Sequence, residues 1–368
     1  LWAAKHEIEQ ANKVIIATDS DSAGQAMAEE IARRIGRDRC WKIEYPEDCK
    51  DANDVLLKHG KKKLNDITAF CKPWPVAGLY DAAHFYQELD EIYEKGMAKG
   101  IGTGYPNLDE LYSVVEGQLT VVTGHPSCGK SELIDQLMVN LAVSHDWKFG
   151  ICSFENEPRL HIAKLISKYF EKPFFEGMTP RMTKGELEQG KSFIQKHFSF
   201  VYQADGSMAT VDGIIERLKI AVMRNGIKGA IIDPYNYITK NRDISETDWI
   251  SDMLTKLRVF AQSHGIHLWF VAHPTKMMRD ANGNIPPPKG YDISGSAAWF
   301  AKADVGLTVH RPDPECNESE VHIWKCRFSW VGQQGKTSLF FNPVTSTYTA
   351  ERDDPFADLT EPEYETPF

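Results

Sequence analysis

The chain has 368 residues, of which 42% are hydrophobic and 26% are charged, the composition of an ordinary globular protein with a substantial core. Its net charge of −10 argues against a nucleic-acid partner, but residues 351–368 alone contribute −6 through seven acidic residues and one basic residue. The remaining body is only mildly acidic and can still present a basic surface at one place, so net charge does not exclude a polyanionic partner.

Transmembrane, secreted and disulfide-framework proteins are disfavoured. The sequence contains no apolar run of about 18 residues and no basic-then-apolar leader, so we expect neither a membrane span nor a secretory signal. It begins at Leu1 rather than at a methionine, as a piece of a longer protein would. The seven cysteines form no C-x-x-C pair, which favours reduced thiols in a cytosol-like compartment over a zinc ribbon or a disulfide framework.

Residues 1–72 are predicted to form a small α/β unit. Residues 14–17 read as a short buried strand, and residues 23–35 have a helical periodicity that ends before Gly36. Prolines at 73 and 75 break this pattern and predict a linker over 73–100. Within the linker, residues 79–98 are predicted to form an amphipathic helix. Its apolar face packs either on its own domain or on a neighbouring subunit.

Strands and helices alternate over residues 101–350. The apolar runs 119–123, 149–154, 230–233 and 267–272 are typical of parallel strands covered on both faces. The later runs 305–310, 321–327 and 338–342 lie close together and predict antiparallel hairpins at one edge. The pattern therefore predicts an α/β fold with a mostly parallel sheet. Residues 351–368 contain three prolines and seven acids, and we expect this tail to be disordered.

A phosphate-binding loop follows the first of these strands. Residues 124–131 match G-x-x-x-x-G-K-S and precede a helix, the context in which backbone N–H groups surround phosphate oxygens. Lys130 is expected to neutralise the β- and γ-phosphates, and the Ser131 hydroxyl to bind Mg²⁺. The predicted nucleotide-binding residues here are Gly124, His125, Pro126, Ser127, Cys128, Gly129, Lys130, Ser131 and Glu132.

Polar residues also follow the ends of the neighbouring strands. Asp233 is expected to reach the Mg²⁺ through water; a cap on the turn before Pro234 is the alternative. Glu155 is expected to polarise the attacking water, with Glu157 as its competitor two residues later. His273 either senses the γ-phosphate or is a satisfied core histidine.

The order of these motifs resembles the replicative ring helicases of the DnaB family, and within it the bifunctional phage primase-helicases and the Twinkle-type mitochondrial helicases. Residues 102–109 (GTGYPNLD) resemble the start of that family's ATPase core. Residues 153–155 (SFE) are similar to the motif with the catalytic glutamate, which favours Glu155. Residues 273–276 (HPTK) are similar to the motif with the γ-phosphate sensor. The resemblance implies a RecA-like P-loop ATPase core.

The resemblance also assigns residues to the subunit seam and to the nucleobase. Residues 325–328 (KCRF) are similar to a motif whose arginine enters the neighbouring subunit's nucleotide site. Arg327 is therefore implied to act in trans with Lys325 as its companion; the alternative is a solvated, charged edge strand. Arg311 and Phe341 fall where family members sandwich the base, and Phe340 is the alternative if the register shifts by one.

The first segment resembles the end of a Toprim domain. Asp19-Ser20-Asp21 is similar to the D-x-D that binds divalent metal, with Gly24 behind it. Residues 50–54 (KDAND) resemble the segment that closes that domain. An acidic helix cap is the alternative for the D-x-D pattern. The family's upstream glutamate and its zinc-binding module are not in this sequence, so we do not expect primase chemistry from this chain alone.

Two segments are predicted to bind single-stranded DNA. The stretch between His273 and Asp292 is long and irregular, as functional loops in compact domains are, and either lines a central pore or is a plain surface loop. A second pore loop is expected after the strand that ends at Asp233. Residues 292–296 (DISGS) resemble the family's D-x-x-G-S, with serine where many phage members have arginine. The predicted DNA-binding residues are Lys240, Arg242, Lys276, Arg279, Lys289, Ser294 and Gly295.

The resemblance implies an NTP-driven helicase ring, a homohexamer or heptamer, that travels 5′ to 3′ on single-stranded DNA and is the helicase part of a primase-helicase. Its implied requirements are Mg²⁺ and ATP or a dNTP. The acidic tail would recruit a replicative polymerase or another replisome protein, or merely solubilise the chain. The implied location is a bacterial or phage-infected cytoplasm, or the mitochondrial matrix for a Twinkle-type protein. The alternatives are a RecA-type strand-exchange recombinase and a non-hydrolysing clamp or loader scaffold.

Overall fold

The computed structural model describes residues 2–74, 82–97, 99–202, 209–240, 243–278, 285–313 and 315–351. Within these ranges the strands form two sheets, one of three strands and one of nine. The small sheet belongs to the first part of the chain, and the large sheet belongs to the region that the sequence predicts as the ATPase core. None of the described helices has the length and apolar character needed to cross a membrane.

The first unit pairs a small sheet with helices. Its strands are β1 (Val14–Ile16), β2 (Cys40–Lys42) and β3 (Lys72–Pro73), and its helices are α1 (Lys5–Gln10), α2 (Ser22–Ile35) and α3 (Ala52–Ala69). Strands β1 and β2 are parallel and are joined through α2. The core of the unit is formed by the apolar side chains Ile16, Ala28, Ala32, Ile35, Cys40 and Trp74.

The end of this unit corrects the predicted linker boundary. Residues Lys72–Pro73 pair with β2 as an antiparallel edge strand instead of starting the linker. An edge strand tolerates Pro73 because its missing N–H faces no partner strand. Trp74 is buried in the core of the unit, so the burial of one aromatic side chain extends the unit past the predicted limit at residue 72.

The linker contains a shorter helix than the sequence predicts. Helix α4 spans Tyr86–Lys95 and is preceded by the 3-10 turn Ala82–Phe85, whereas residues 79–81 and 98 of the predicted helix lie outside the described residues. The helix ends at Gly96, whose φ of 74° is a conformation that glycine adopts readily. Its apolar side chains are exposed, and Tyr93 is 90% accessible. This face is therefore available to a partner.

The large sheet contains nine strands within the described residues. They are β4 (Leu119–Thr123), β5 (Phe149–Ser153), β6 (Phe198–Phe200), β7 (Gly229–Asp233), β8 (His267–Val271), β9 (Val305–His310), β10 (Glu318–Cys326), β11 (Gly335–Asn342) and β12 (Thr347–Thr349). Their order is β12-β11-β10-β9-β4-β8-β7-β5-β6. Strands β9, β4, β8, β7, β5 and β6 are parallel. Strands β10, β11 and β12 are antiparallel at one edge. The predicted hairpins are observed between β9, β10 and β11, but β9 also pairs in parallel with β4, and β12 was not predicted.

Helices cover both faces of this sheet. They are α5 (Pro106–Asp109), α6 (Lys130–His145), α7 (Pro158–Phe170), α8 (Lys184–His197), α9 (Val211–Asn225), α10 (Glu246–His264) and α11 (Ala298–Lys302). Successive residues of a strand point to opposite faces, so Trp269 joins the core with α6 and α7 while Phe270 joins the core with α9 and α10. This double coverage explains why the central strands read as continuous apolar runs.

The predicted strands differ from the observed ones mainly at the antiparallel edge. Strand β10 starts at Glu318 instead of residue 321, and β11 starts at Gly335 instead of residue 338. Strand β10 alternates buried and partly exposed residues and β11 begins with two exposed residues, so their polar ends do not stand out as apolar runs. Strands β6 and β12, of three residues each, were not predicted.

One buried arginine joins the two units. Arg33 of α2 is 5% exposed, and its Nη1 donates to the carbonyl oxygens of Ile227 at 3.0 Å and His264 at 3.1 Å. His264 is the last residue of α10, where the helix dipole concentrates negative charge, and Ile227 lies two residues beyond the end of α9. Glu30 completes the contact, since its carboxylate lies 2.8 Å from Arg33 Nε. Burial opposes ionisation, yet hydrogen bonds and charges of Arg33 and Arg34 lower the pKa of Glu30 to about 2.

We expect Arg33→Ala to release the first unit from the ATPase core. The change removes two hydrogen bonds from a charged donor to buried carbonyls and should cost about 3 kcal/mol. Faster hydrogen exchange of the α2 amides and an earlier urea transition would report the loss. The matched control is Arg37→Ala, because Arg37 forms an exposed pair with Glu29 at 3.1 Å and should cost less than about 1 kcal/mol. Equal effects of the two changes would contradict the docking role.

Candidate nucleotide site

The candidate site lies at the carboxyl edge of the parallel strands. Strands β4, β5, β7 and β8 run in the same direction, so the residues that follow them meet at one edge of the sheet. A cavity of about 600 Å³ opens there. It is lined by Lys130 and Ser131 after β4, Glu155 after β5, Asp233 at the end of β7 and His273 after β8. The structure thus brings together five residues that the sequence predicts as one site.

The loop between β4 and α6 has the backbone shape that phosphate binding requires. Gly124 has a φ of 148° and Gly129 a φ of 88°, both in the region that favours glycine. A Cβ at Gly124 would lie 2.3 Å from the carbonyl oxygen of Val309, so no larger residue fits. The loop ends at the first turn of α6, where free backbone N–H groups and the helix dipole attract anions.

Lys130 points back into this loop. Its Nζ donates to the carbonyl oxygens of Gly124 and His125, both at 2.9 Å. Burial lowers the pKa of Lys130, and the negative charges of Asp233 and Glu155 partly offset that shift. The ammonium is therefore held where a phosphate group would replace weak carbonyl partners with a full negative charge.

Asp233 and Ser131 offer a pair of oxygen ligands beside the loop. The Ser131 hydroxyl donates to Asp233 Oδ2 at 2.5 Å, and Asp233 is only 3% exposed. Burial, followed by the nearby carboxylates of Asp135 and Glu155, raises the pKa of Asp233 to about 6. A buried carboxylate among other carboxylates calls for a compensating cation, and Mg²⁺ prefers such oxygen ligands. These two residues therefore fit the predicted Mg²⁺ position.

The geometry favours Glu155 over Glu157 at this site. Glu155 lines the cavity, and its Oε1 lies 3.8 Å from His273 Nε2. Glu157 is not among the lining residues; it precedes α7 and pairs with Arg159 at 2.6 Å. Burial, followed by the charge of Lys130, lowers the pKa of His273. The imidazole is thus held neutral beside the carboxylate, where it can donate or accept one hydrogen bond.

The opposite wall of the cavity comes from the antiparallel edge of the sheet. Arg311, directly after β9, and Phe341 of β11 both line the cavity, whereas Phe340 does not. Tyr348 of β12, which the sequence analysis missed, also lines it. Its ring lies 5.0 Å from that of Phe341, and its hydroxyl donates to the Gly129 carbonyl oxygen at 3.3 Å. An aromatic wall therefore stands directly over the phosphate-binding loop.

Two lysines of α7, Lys164 and Lys168, were also missed, whereas their shared partner Glu132 was predicted as a nucleotide-binding residue. Glu132 accepts from Lys164 at 2.5 Å and pairs with Lys168 at 2.8 Å. Glu132 and Lys164 both line the cavity. Lys164 and Lys168 are four residues apart on α7, so they lie on one face of that helix. The four-residue spacing indicates in the sequence that the two lysines share a helix face, but it does not indicate which carboxylate they pair with.

Arg327 and Lys325 lie at the opposite end of the strands from the cavity, beside the first residues of the parallel strands. Strand β10 is antiparallel to β9, and its last residue Cys326 pairs with Val305, the first residue of β9. The cavity lies beyond the last residues of the parallel strands, so neither side chain lines the cavity of its own chain. Arg327 Nε lies 3.2 Å from Asp304 Oδ1, and Lys325 Nζ donates to the Phe300 carbonyl oxygen at 2.5 Å.

The predicted main DNA loop begins and ends beside the cavity. Pro274 forms an antiparallel bridge with Ile293, and Ser294 N donates to the His273 carbonyl oxygen at 3.4 Å. His125 of the phosphate-binding loop contacts the Pro286 carbonyl oxygen at 3.3 Å through Nε2. The described part of this loop is therefore tied at one point to His273 and at another to the phosphate-binding loop.

The other predicted DNA residues occupy several environments. Lys276 and Lys289 are exposed. Gly295 has a φ of 93°, and a Cβ there would lie 2.5 Å from a methyl group of Ile250. Lys240 is partly exposed and forms an ion pair with Glu246. Two further predicted residues, Arg242 and Arg279, lie outside the described residues.

Of the two Toprim-like carboxylates, Asp21 has a local structural role and Asp19 is exposed. Asp21 is the N-cap of α2 and accepts from Gly24 N at 2.7 Å, the acidic-cap alternative. Asp19 is exposed. Among the described residues, the group of three side chains with metal-ligand spacing is Asp48, Cys49 and His59, and it includes neither predicted carboxylate. The D-x-D pattern as a metal site therefore remains a prediction.

Comparison with known proteins places the chain in a family. A profile described as "DnaB-like helicase C terminal domain" matches residues 100–350, and one described as "Toprim-like" matches residues 3–56. The chain is 41% identical over 366 residues to the "Twinkle homolog protein, chloroplastic/mitochondrial" of Arabidopsis thaliana, covering 95% of this chain and 51% of that protein.

A phage relative and a solved structure agree with this result. The chain is 22% identical over 347 residues to the "DNA helicase/primase" of Enterobacteria phage T3, covering 89% of this chain and 59% of that protein. The chain thus spans between half and two thirds of the length of these two relatives. A solved structure described as "A DnaB-Like Replicative Helicase And Its Interactions With Primase" superposes with a TM-score of 0.62 at 18% identity, covering 82% of this chain and 73% of that one. These findings confirm the predicted α/β, RecA-like fold, and the chain belongs to the DnaB-like helicase family and carries a Toprim-like segment in front of its ATPase core.

Proposed function

We propose that the chain is the NTP-driven motor of a ring-shaped replicative DNA helicase with a primase-type segment in front of it. One observation carries the proposal: the residues suited to triphosphate hydrolysis lie in one cavity, except for Arg327, which lies at the opposite edge of the same sheet. A site whose parts face away from each other within one chain is completed when copies assemble head to tail. A closed ring of such copies has one site at every seam.

Hydrolysis in this proposal depends on positioned charges. The loop from Gly124 to Gly129 and the ammonium of Lys130 hold the β- and γ-phosphates. Ser131 and Asp233 would hold Mg²⁺, which would neutralise charge on the phosphate oxygens. Glu155 accepts the proton of the attacking water. Phe341 stacks on one face of the base and Arg311 on the other. Stacking does not depend on the hydrogen-bonding groups at the edge of the base, so the site accommodates ATP or a dNTP.

Arg327 is proposed to enter the neighbouring copy's site. A guanidinium beside the γ-phosphate stabilises the charge that develops in the transition state. Its contact with Asp304, which is 2% exposed, keeps the side chain directed at one place on the surface. Lys325 lies next to it and adds positive charge. The exposed apolar face of α4 is proposed to dock on a neighbouring subunit and to help close the ring.

The DNA-binding role rests on the loop that follows His273. Lys276, Arg279 and Lys289 give it positive charge, and the second loop adds Lys240 and Arg242. In a ring these side chains line a basic pore that grips the phosphates of one strand. The ties of this loop to His273 and His125 provide a route by which the phosphate state moves it. Travel from 5′ to 3′ and a hexamer or heptamer are part of the proposal.

Partners and location are proposed from the resemblance and from charge. The acidic tail, which lies outside the described residues, is proposed to recruit a replicative polymerase or another replisome protein. A relative named as chloroplastic and mitochondrial favours an organelle over a bacterial or phage-infected cytoplasm.

Single-stranded DNA should accelerate triphosphate hydrolysis only above the concentration at which rings assemble. The phosphate-binding residues are complete in one chain, but Arg327 reaches them only from another. The rate should be measured with and without single-stranded DNA across the assembly transition, which is followed by light scattering. A strictly monomeric chain that hydrolyses ATP at full speed, indifferent to DNA, would refute the motor.

Glu155→Gln should abolish turnover without abolishing nucleotide binding. The amide keeps the shape of the side chain but accepts no proton, so the rate should fall by at least about 100-fold. Glu157→Gln is the matched control, two residues away and outside the cavity, and should hydrolyse at the wild-type rate. Both variants are compared by phosphate release and by equilibrium binding of ATP. The assignment is wrong if Glu157→Gln is the inactive one.

Two inactive variants should restore activity when they are mixed. The Arg327→Ala chain has a complete cavity but supplies no arginine to its neighbour. The Lys130→Ala chain supplies the arginine, but its own cavity lacks the lysine and cannot hydrolyse ATP. In random rings from an equal mixture, about a quarter of the seams join a good cavity to a good arginine if the interface is head to tail. Phosphate release by the mixture should therefore exceed that of either variant alone. A mixture as inactive as its components would show that Arg327 does not act across a seam.

A further inference from the structure

A fully buried lysine stands behind the aromatic wall of the nucleotide cavity. The Lys168 side chain is 0% exposed and its Nζ lies 2.8 Å from Glu132 Oε2. The same Nζ donates to the carbonyl oxygen of Ser346, in the turn between β11 and β12. It also lies over the ring of Phe341, 6.0 Å from the centroid. One ammonium thus touches the helix that follows the phosphate-binding loop and the hairpin that forms the opposite wall.

The hairpin that Lys168 holds carries the whole aromatic wall. Phe341 lies in β11 and Tyr348 in β12, and their rings pack at 5.0 Å. Tyr348 is anchored to the phosphate-binding loop through its hydroxyl and to Tyr105, whose hydroxyl donates to its carbonyl oxygen at 3.1 Å. These strands are at the outer edge of the sheet, where β12 has no further strand beside it within the described part of the chain. Side-chain contacts therefore determine how far the wall stands from the loop.

Stability by itself does not explain why a charged side chain occupies the position of Lys168. Burying an ion pair costs desolvation energy, and an apolar residue of the same size often serves stability equally well. Glu132 already has a second cationic partner in Lys164, which is partly exposed. Burial opposes ionisation of Glu132, but the charge of Lys168 and hydrogen bonds from both lysines lower its pKa. The distinct contribution of Lys168 is its reach to the Ser346 carbonyl and the Phe341 ring.

We propose that Lys168 is a positioning residue for nucleobase recognition, because its bridge from Glu132 to the β11–β12 turn fixes the height of the Phe341 wall above the phosphate-binding loop. This inference rests on the proposed nucleotide site. The ligand class is a nucleoside triphosphate, whose base must reach Phe341 while its phosphates lie on the loop. Lys168 does not line the cavity, so it touches neither part of the ligand itself.

The proposal separates two ligands that share the phosphate-binding loop. Inorganic tripolyphosphate uses the loop, Lys130 and the Mg²⁺ ligands but has no base. ATP uses these groups and the aromatic wall. If Lys168 only positions the wall, its loss weakens ATP and leaves tripolyphosphate unchanged. If it instead supports α6 and the loop, both ligands weaken together.

The test is Lys168→Met in the full chain, with Mg²⁺, titrated with ATP and with tripolyphosphate by calorimetry. Methionine fills most of the space, and Glu132 retains Lys164. Because aromatic stacking on a base is a modest interaction, ATP affinity should fall about tenfold, while tripolyphosphate affinity stays within about twofold of wild type. Phe341→Leu should give the same selective loss, and the double variant should lose no more than about the larger single effect, as expected for residues that act through one contact.

Lys172→Met is the matched control, because Lys172 lies just beyond α7 and pairs with Glu186 at the surface. It should change neither affinity. If Lys168→Met does not fold, Lys168→Gln retains a donor for Ser346 and should show a smaller ATP-selective loss. Equal losses for both ligands, or no loss for either, would overturn the role of Lys168. A wild-type chain that binds neither ligand would instead refute the nucleotide site and the inference with it.

Discussion

Parallel pairing of the central strands is the constraint on which the site depends. Because the paired strands β4, β5, β7 and β8 end at one side of the sheet, residues far apart in sequence converge there. Ser131 and Asp233 are 102 residues apart yet share a hydrogen bond of 2.5 Å. The burial that brings them together also raises the pKa of Asp233, so the fold itself creates the demand for a cation.

The reversal of direction at β10 has the opposite consequence. It sends Arg327 to the edge away from the cavity, while the following strand returns Phe341 to the cavity wall. The same antiparallel hairpins thus supply the nucleobase wall of one site and the proposed arginine of another. In the proposed ring, hydrolysis in one copy would then require the correct placement of the next.

Local motifs were the most predictable part of the molecule. The G-x-x-x-x-G-K-S pattern determines its own backbone shape, and the apolar runs read as parallel strands were predicted to within one residue at each end. Glu155 and His273 followed from their positions directly after such runs. The edge strands were predicted less well, because β10 alternates buried and partly exposed residues, β11 begins with two exposed residues and β12 has only three residues. The predicted boundary between the first unit and the linker, at residue 72, was wrong. Trp74 is buried because its segment pairs with β2, and the sequence around Trp74 does not show this pairing.

The sequence by itself determined the family and the α/β class, because the order of its motifs and the alternation of apolar runs are visible along the chain, and it located the phosphate-binding loop within one short stretch. Only the tertiary structure decided which aromatic residues face the cavity and which charges support them. Tyr348 reaches Gly129 across 219 residues, and Lys168 reaches Ser346 across 178. Such contacts depend on the register and twist of edge strands, and a single-residue shift would turn Phe340 rather than Phe341 toward the nucleotide.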